Sequence, residues 1–210
     1  MRKIYSIILI CIISLLGIVK GQSYLLNEDF SSANGVNPPT GWTQQTITGN
    51  ATTDKWHFDN PGNRVVNLPI TDPFAIFDSQ NYSTSGGNEV VNLESPFIDA
   101  SGTSCIYLIF DQLFNKGTNS TGQVQVFNGS IWQTVYNIDS NINSINNQVI
   151  NISSMGAGVL NLKIRFKWNG NNGGYWLIDN VKIFSPFTRD MSVTAINAPL
   201  NPIASGNHKI

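Results

Sequence analysis

Carboxylates are the side chains of this chain that could carry chemistry, and the most informative of them stand beside apolar or aromatic residues. Glu28 and Asp29 end the first predicted strand. Asp54 stands two residues before Trp56, and Asp179 lies in the last predicted strand. On that strand Asp179 shares a face with apolar residues, and a carboxylate among apolar side chains needs a hydrogen-bonding partner or a cation.

These four carboxylates could converge on one cation if the first and last strands are neighbours, as they often are in a sandwich. Calcium is the preferred ion, because it accepts irregular sets of oxygen ligands. The alternative is that Asp179 caps a turn or accepts hydrogen bonds from backbone N–H groups. The sequence leaves both interpretations open.

A catalytic constellation is not predicted. His208 lies in the C-terminal tail, and the Gly-, Asn- and Thr-rich surroundings of His57 favour a structural or surface role for that imidazole. The chain has no G-x-S-x-G elbow, no H-E-x-x-H motif and no cysteine pair with metal-binding spacing. Glu89 and Glu94 are the closest candidates for a glycosidase pair, but their separation places them on opposite faces of a strand. We therefore expect a protein that is not an enzyme.

Aromatic side chains could form a ligand-binding surface, because an exposed ring face can stack on a sugar. The candidates are Tyr82, Trp132, Tyr175 and Trp176. The alternative for each of them is packing in the core, which the sequence favours for Trp132 and Trp176.

The elements that would position these residues are predicted to be short β-strands. β-Branched or aromatic runs alternate with clusters of Asn, Gly, Ser and Pro, and no stretch after the N-terminal segment has a sustained helical period, which is typical of a jelly-roll β-sandwich. Residues 105–111 are apolar on both faces, as expected of a central strand. Further strands are predicted at residues 24–30, 74–77, 90–93, 123–127, 134–138, 148–152 and 176–184.

The clearest strand is predicted at residues 162–168. Its even-numbered residues are apolar, and its odd-numbered residues Lys163, Arg165 and Lys167 are basic. The apolar face should therefore lie in the core, and the basic face is most simply solvated. A groove for an acidic ligand is the alternative interpretation of the basic face.

The composition excludes two classes of protein. The chain has 210 residues, of which 41% are hydrophobic and 12% charged, with a formal net charge of −1. Disorder requires low hydrophobicity together with high net charge, so an ordered domain is expected. Binding to nucleic acid is not expected, because the clustered Lys and Arg residues that a phosphate backbone requires are missing.

Residues 1–21 are predicted to be a secretory signal peptide that is removed from the mature protein. Arg2 and Lys3 precede an apolar run at residues 4–19, which is shorter than the roughly 20 residues that span a bilayer. Its removal takes away three of the 12 Lys and Arg residues and none of the 13 Asp and Glu residues, so the mature net charge is −4. We expect a secreted or cell-surface protein with no membrane span after cleavage.

The rest of the chain is predicted to hold one complete domain and part of another. Residues 22–185 form the jelly-roll domain, and residues 186–190 form a linker. Residues 191–210 begin a second β domain that is incomplete, because a lone strand cannot bury its apolar face.

Eight short motifs occur in one order along residues 24–184: NEDF from Asn27, PPTGW from Pro38, DKW from Asp54, ESPFI from Glu94, LIFD from Leu108, GSIW from Gly129, IRF from Ile164 and WLIDNV from Trp176. This order resembles the MAM-like jelly-roll domains of bacterial secreted proteins of the cleaved-adhesin or choice-of-anchor J type. The resemblance implies a non-catalytic module for adhesion, with an extracellular protein or glycan as partner. It also implies an Ig-like domain after residue 190 and export through a type IX secretion route.

The resemblance further implies a calcium ion that ties the first strand, the loop before the second Trp and the last strand together. Carried over to this chain, the ligands would be Glu28 or Asp29, Asp54 and Asp179. The paired cysteines of animal MAM domains are missing, so the receptor function of those domains is not transferred. Two other functions remain open: an accessory stabilising domain of a larger secreted peptidase or glycoside hydrolase, and a free-standing hydrolase.

Overall fold

A computed structural model describes residues 23–82, 87–171 and 173–186, which form two antiparallel β-sheets packed face to face. The all-β sandwich that the sequence predicts is confirmed. In chain order the elements of these ranges are β1 (Ser23–Glu28), β2 (Thr43–Thr48), β3 (Ala75–Phe77), α1 (Ser79–Tyr82), β4 (Asn88–Glu94), β5 (Tyr107–Asn115), β6 (Thr121–Phe127), β7 (Trp132–Ile138), β8 (Ile142–Asn151), α2 (Ser153–Gly156), β9 (Lys163–Asn171) and β10 (Tyr175–Ser185).

The first sheet has the strand order β1-β10-β5-β8, and β3 also pairs with β10. The first strand of the domain therefore lies beside its last strand, as the sequence analysis expects. Ser23 is opposite Ser185 in this antiparallel pair, and β3 is opposite the beginning of β10, at residues 176–178. This pairing brings the end of β1, where Glu28 stands opposite Val181, close to the middle of β10.

The second sheet has the strand order β2-β4-β9-β6-β7, with β9 at its centre. Ile164, Phe166 and Trp168 of β9 are fully buried between the sheets. The basic residues that alternate with them lie on the outer face, so the two-faced strand predicted there is confirmed. A central strand is hydrogen-bonded on both sides, and this fixes the backbone positions of the basic side chains.

The core is rich in large aromatic rings. Trp56, Trp168 and Trp176 are among its fully buried side chains, and the Trp56 and Trp176 ring centroids lie 5.7 Å apart. Phe114 contacts both Trp168 and Trp176, at centroid distances of 5.6 and 5.9 Å. Because each such side chain contributes about 2 kcal/mol on burial, and tilted or edge contacts add to this, the core can stabilise the domain without a disulfide.

The segment between β2 and β3 packs against the outer face of the first sheet. Ile70 and Phe74 of this segment form a small buried cluster with Ile76 and Leu177. Arg64 anchors the segment. Its Nε and Nη2 each donate a 2.7 Å hydrogen bond to the carboxylate of Asp78, the residue that directly follows β3. This cover leaves the outer face of the second sheet as the more open of the two sheet surfaces.

Strand β2 was not predicted, because its sequence TQQTIT lacks an apolar face. Gln44 holds this edge strand in place: its Nε2 donates to the carbonyl oxygens of Val36 and Trp56, and its Oε1 accepts from the backbone N–H of Trp56. The predicted signal peptide and the predicted second domain at residues 191–210 lie outside the described residues. No helix within the described ranges is long and apolar enough to cross a membrane.

Candidate functional site

Two buried carboxylates face each other on the covered outer face of the first sheet. Asp179 of β10 is directly opposite Asp111 of β5 in the strand register, and their exposed fractions are 1% and 4%. Asp111 accepts hydrogen bonds from the side-chain amides of Asn147 (3.0 Å) and Asn180 (2.9 Å). Asp179 accepts from the backbone N–H groups of Thr71 (3.1 Å) and Asn180 (2.7 Å). We call these two residues the acid pair.

The environment of the acid pair disfavours a second negative charge. The pKa of Asp179 is raised to about 6, mainly by burial, and the negative charges of Asp111 and Asp29 contribute to this rise. The N–H donors of Thr71 and Asn180 oppose this shift but do not cancel it. No ion pair to either acid is found among the described residues, and both carboxylates are held by N–H donors instead.

The chain bends sharply beside the acid pair. Asn180 has a positive φ of 52°, and the β10 register shifts between Asp179 and Lys182, as at a β-bulge. The side-chain amide of Asn180 donates both to Asp111 and to the carbonyl oxygen of Pro69. Asn tolerates this backbone conformation better than most residues, and here it also links the two carboxylates.

Glu28 is the last residue of β1 and Asp29 directly follows it. Strand β1 lies on the side of β10 that is opposite to β5. Burial raises the pKa of Glu28, against the backbone N–H of Phe30, which donates to its Oε1 at 2.7 Å. Hydrogen bonds from Ser31 lower the pKa of Asp29. The structure thus brings Asp29 within electrostatic range of Asp179, as the sequence analysis expects of the first and last strands.

Asp54 does not join this group. Its carboxylate accepts hydrogen bonds from the backbone N–H of Asn50 (2.6 Å) and the hydroxyl of Thr53 (2.9 Å), both in its own loop. Across the described ranges no three His, Cys, Asp or Glu side chains are close enough to hold one ion. The predicted convergence of all four carboxylates is therefore not seen among the described residues, where Asp54 closes its own turn. Asp111, which the sequence analysis did not select, is the acid that faces Asp179.

Two of the four aromatic candidates lie away from the open sheet surface. Trp176 is fully buried in the core, so its prediction as a ligand-binding residue is wrong. The ring of Tyr175 packs beside the small apolar cluster on the covered outer face of the first sheet, and the guanidinium of Arg64 lies 4.4 Å from its centroid. Tyr82 ends α1, and its side chain lies outside the described part of the chain.

Trp132 is the aromatic candidate that lies at an open surface. It begins β7, an edge strand of the second sheet, and is partly exposed. The guanidinium of Arg165 lies over its ring at 4.2 Å, and the Phe127 ring lies 5.4 Å away. The indole is thus held in one orientation at the margin of the basic strand face.

A continuous polar network crosses the outer face of the second sheet. Arg165 donates from Nε to Gln125 Oε1 (2.5 Å) and lies 3.5 Å from Glu94 Oε1. Gln125 Nε2 in turn donates to the hydroxyl of Thr134 (2.9 Å). These residues belong to β4, β9, β6 and β7, so one row of side chains links four strands. Burial lowers the pKa of Arg165, and the charge of Glu94 opposes that shift.

Neighbouring rows of this face are also polar. Gln123 donates to Asn137 (3.0 Å), and Thr43, Gln45 and Asn169 are exposed. In β6, Gln123 and Gln125 alternate with Val124 and Val126. Because residues 123, 125 and 127 of a strand share one face, this pattern indicates a polar surface. We call the outer face of β2-β4-β9-β6-β7 the polar sheet face.

The described residues hold no paired acids suited to glycosidase chemistry at the predicted positions. Glu89 is buried toward the core, where it accepts from the Trp168 indole, whereas Glu94 lies on the polar sheet face. Their predicted placement on opposite faces is confirmed. His57 Nδ1 lies 3.2 Å from Asp59 Oδ1.

The fold is shared with solved domains of low sequence identity. The K3 cleaved adhesin domain of Lys-gingipain from Porphyromonas gingivalis superposes with a TM-score of 0.58 at 17% identity, over 79% of this chain and 100% of that domain. A second cleaved adhesin domain of the same protein gives a TM-score of 0.54 at 16% identity, over 77% of this chain and 98% of that one. TmCBM61, solved in complex with β-1,4-galactotriose, gives 0.54 at 14% identity, over 79% and 100%.

Sequence comparison adds no assignment, since neither a family model nor a curated protein matches the chain. The structural likeness shows the fold of cleaved adhesin domains, while the MAM-like and choice-of-anchor J descriptions stay predictions. This chain therefore has the β-sandwich fold found in cleaved adhesin domains and in a carbohydrate-binding module.

Proposed function

We propose that this chain is a non-catalytic module, exported to the cell exterior, that binds carbohydrate. The observation that carries the proposal is the polar sheet face, where a fixed array of amides, hydroxyls and a guanidinium stands beside an indole. Amide side chains both donate and accept hydrogen bonds, as sugar hydroxyls do, and an aromatic ring packs against the apolar face of a sugar. The fold shared with adhesin domains and with a galactotriose-binding protein supports this choice.

Rigidity is the physical advantage of this surface. Gln125 is only 8% exposed. Arg165 is held between Gln125, Glu94 and Trp132. Side chains that are already ordered lose little further freedom when a ligand binds. A weak sugar contact can therefore give measurable affinity.

The test is a glycan array probed with the exported full chain, followed by calorimetry on the glycans retained. Trp132→Ala should lower the affinity about tenfold, because an aromatic stacking surface is lost. Tyr24→Ala is the matched control, since Tyr24 is 49% exposed but belongs to the first sheet, and should bind as the wild type does. Absence of any retained glycan, or wild-type affinity in Trp132→Ala, would overturn the proposal.

We also propose that a calcium ion binds at the acid pair. Two buried carboxylates without a partner cation, beside the Pro69 carbonyl oxygen, form an oxygen-rich set of the kind that calcium accepts. An ion that binds only the folded state raises the melting temperature by mass action. Chelation should thus lower the melting temperature of the wild type and of Asp54→Asn, but not that of Asp111→Asn. A wild-type melting temperature that is equal with calcium and with chelator would contradict the proposal.

A further inference from the structure

Three cations occupy alternate positions at the centre of the polar sheet face. Lys163, Arg165 and Lys167 share one face of β9, so their Cα atoms are about 7 Å apart from one to the next. Strands β4 and β6 flank β9 on both sides. The positive charge therefore runs along the midline of the sheet surface and not along its edge.

This charge is only partly balanced within the sheet. Glu94 is the one carboxylate that the five described strands place on this face, and it lies 3.4 Å from Lys163 Nζ and 3.5 Å from Arg165 Nη1. Three cations against one carboxylate leave two positive charges on the face. Lys167 makes no ion pair with any residue that the structure describes. The excess is local, because the chain as a whole has a net charge of −1.

A buried amide beside Lys167 carries an unused polar atom. Asn92 stands between Gln45 and Lys167 in the strand register, and its side chain is 2% exposed. Its Oδ1 has no hydrogen-bond partner in the structure. A buried polar atom without a partner is costly, and a group that donates a hydrogen bond to Asn92 Oδ1 would relieve that cost.

Apolar side chains border one end of the row of cations. Phe97 is 65% exposed, with the Lys163 ammonium 5.0 Å from its ring centroid, and Ile131 is 59% exposed next to Trp132. The surface thus combines positive charge, neutral amides and exposed apolar rings. Sugars bearing carboxylates have the complementary combination of negative charge, hydroxyls and apolar C–H faces.

We propose that the polar sheet face binds an acidic polysaccharide whose sugar carboxylates pair with Lys163, Arg165 and Lys167. The inference rests on the proposed function and adds the ligand class and the residues that select it. A uronate polymer repeats its charge along an extended chain, which suits a row of cations on one strand. Nucleic acid fits less well, since its affinity depends on many phosphate contacts and this face offers three cations.

The closing experiment compares polygalacturonate with its fully methyl-esterified form, which keeps the backbone and removes the charge. By calorimetry on the full chain, the acidic polymer should bind at least tenfold more tightly than the ester, and its affinity should fall as salt rises. Lys167→Gln should weaken the acidic polymer about fivefold, and adding Lys163→Gln should weaken it further. Lys182→Gln is the matched control, because Lys182 belongs to the first sheet, and it should bind as the wild type does.

Failure of acidic-polysaccharide binding can be distinguished from failure of carbohydrate binding as a whole. Equal binding of acid and ester, or wild-type affinity in the Lys163→Gln/Lys167→Gln double variant, would overturn the inference while carbohydrate binding stands. Binding of sulfated glycan or DNA, but not of polygalacturonate, would also overturn it. A chain that retains no glycan of any kind fails the proposed function and the inference together. Melting curves of every variant show that a loss of binding is not a loss of folding.

Discussion

The acid pair predicts an unusual dependence of stability on pH. The pKa of Asp179 is raised from 3.8 to about 6 in the folded chain, so between these values the native state holds a proton that the unfolded state has released. The free energy of unfolding contributed by this group is therefore complete below about pH 4 and is lost as the pH rises through 6. A shift of this size corresponds to about 3 kcal/mol. Ordinary carboxylates, whose pKa is lowered by folding, behave in the opposite way.

The assay is urea unfolding of the wild type and of Asp179→Asn from about pH 3 to about pH 8, with chelator present throughout. Asn cannot ionise, so the stability difference between the two proteins isolates the titration of Asp179. That difference should move by about 3 kcal/mol in favour of the variant as the pH rises from 4 to 7. The size of the stability difference at any one pH also includes a hydrogen bond that Asn cannot accept, because Asn has only one carboxamide oxygen. The prediction therefore concerns how the difference changes with pH.

Asp99→Asn is the control with the opposite sign. Hydrogen bonds from Ser101 lower the pKa of Asp99, so the wild type should gain on this variant as the pH rises through the range where Asp99 ionises. A stability difference for Asp179→Asn that is flat with pH, or that favours the wild type at higher pH, would refute the account of Asp179 as a carboxyl group whose pKa is raised mainly by burial.

Three further changes test how loops and buried acids are held. Arg64→Ala should lower the free energy of unfolding by about 4 kcal/mol in urea titrations, because it leaves the fully buried Asp78 carboxylate without its cation; a loss below 1 kcal/mol would contradict this. Gly174→Ala should cost about 2 kcal/mol or more, since φ is +82° and a Cβ would collide with the Asn115 carbonyl; an unchanged unfolding midpoint would show that the turn can relax. Glu89→Gln should raise the melting temperature in calorimetry, because it replaces a buried acid whose Oε1 has no partner by a neutral amide; a lowered melting temperature would contradict this expectation.

The strands that were predicted correctly are those whose own residues alternate or are apolar throughout. In β9 each apolar residue is separated from the next by a basic one, and this local pattern alone determines which face is buried. Strand β2 was not predicted, because it is held in place by hydrogen bonds from the Gln44 side chain to the carbonyl oxygens of residues 36 and 56. No local sequence pattern reveals these contacts. The two one-turn helices are too short to leave a periodic signal.

The site was predicted less well than the fold, because it depends on pairs of distant residues. That Asp179 needs a partner follows from its apolar neighbours, but which acid faces it depends on the register between β10 and β5. Asp54 was selected because it precedes a tryptophan in the sequence. In the structure both of its carboxylate oxygens accept hydrogen bonds from its own turn. The polar sheet face was visible as the basic side of β9, whereas its link through Gln125 to Thr134 required the strand order β9-β6-β7.

The pairing of β1 with β10 determines how the domain responds to mechanical load. Because Ser23 lies opposite Ser185, the chain enters and leaves the sandwich at one end of the same ladder. Tension between the two ends pulls this ladder open one hydrogen-bonded pair at a time, since the bonds of an antiparallel pair run across the strands and parallel to that force. The load acts on β1 and on the end of β10, and the second sheet with its row of cations is in neither strand. A tethered module of this design would yield first at β1 and the end of β10 and keep the second sheet intact.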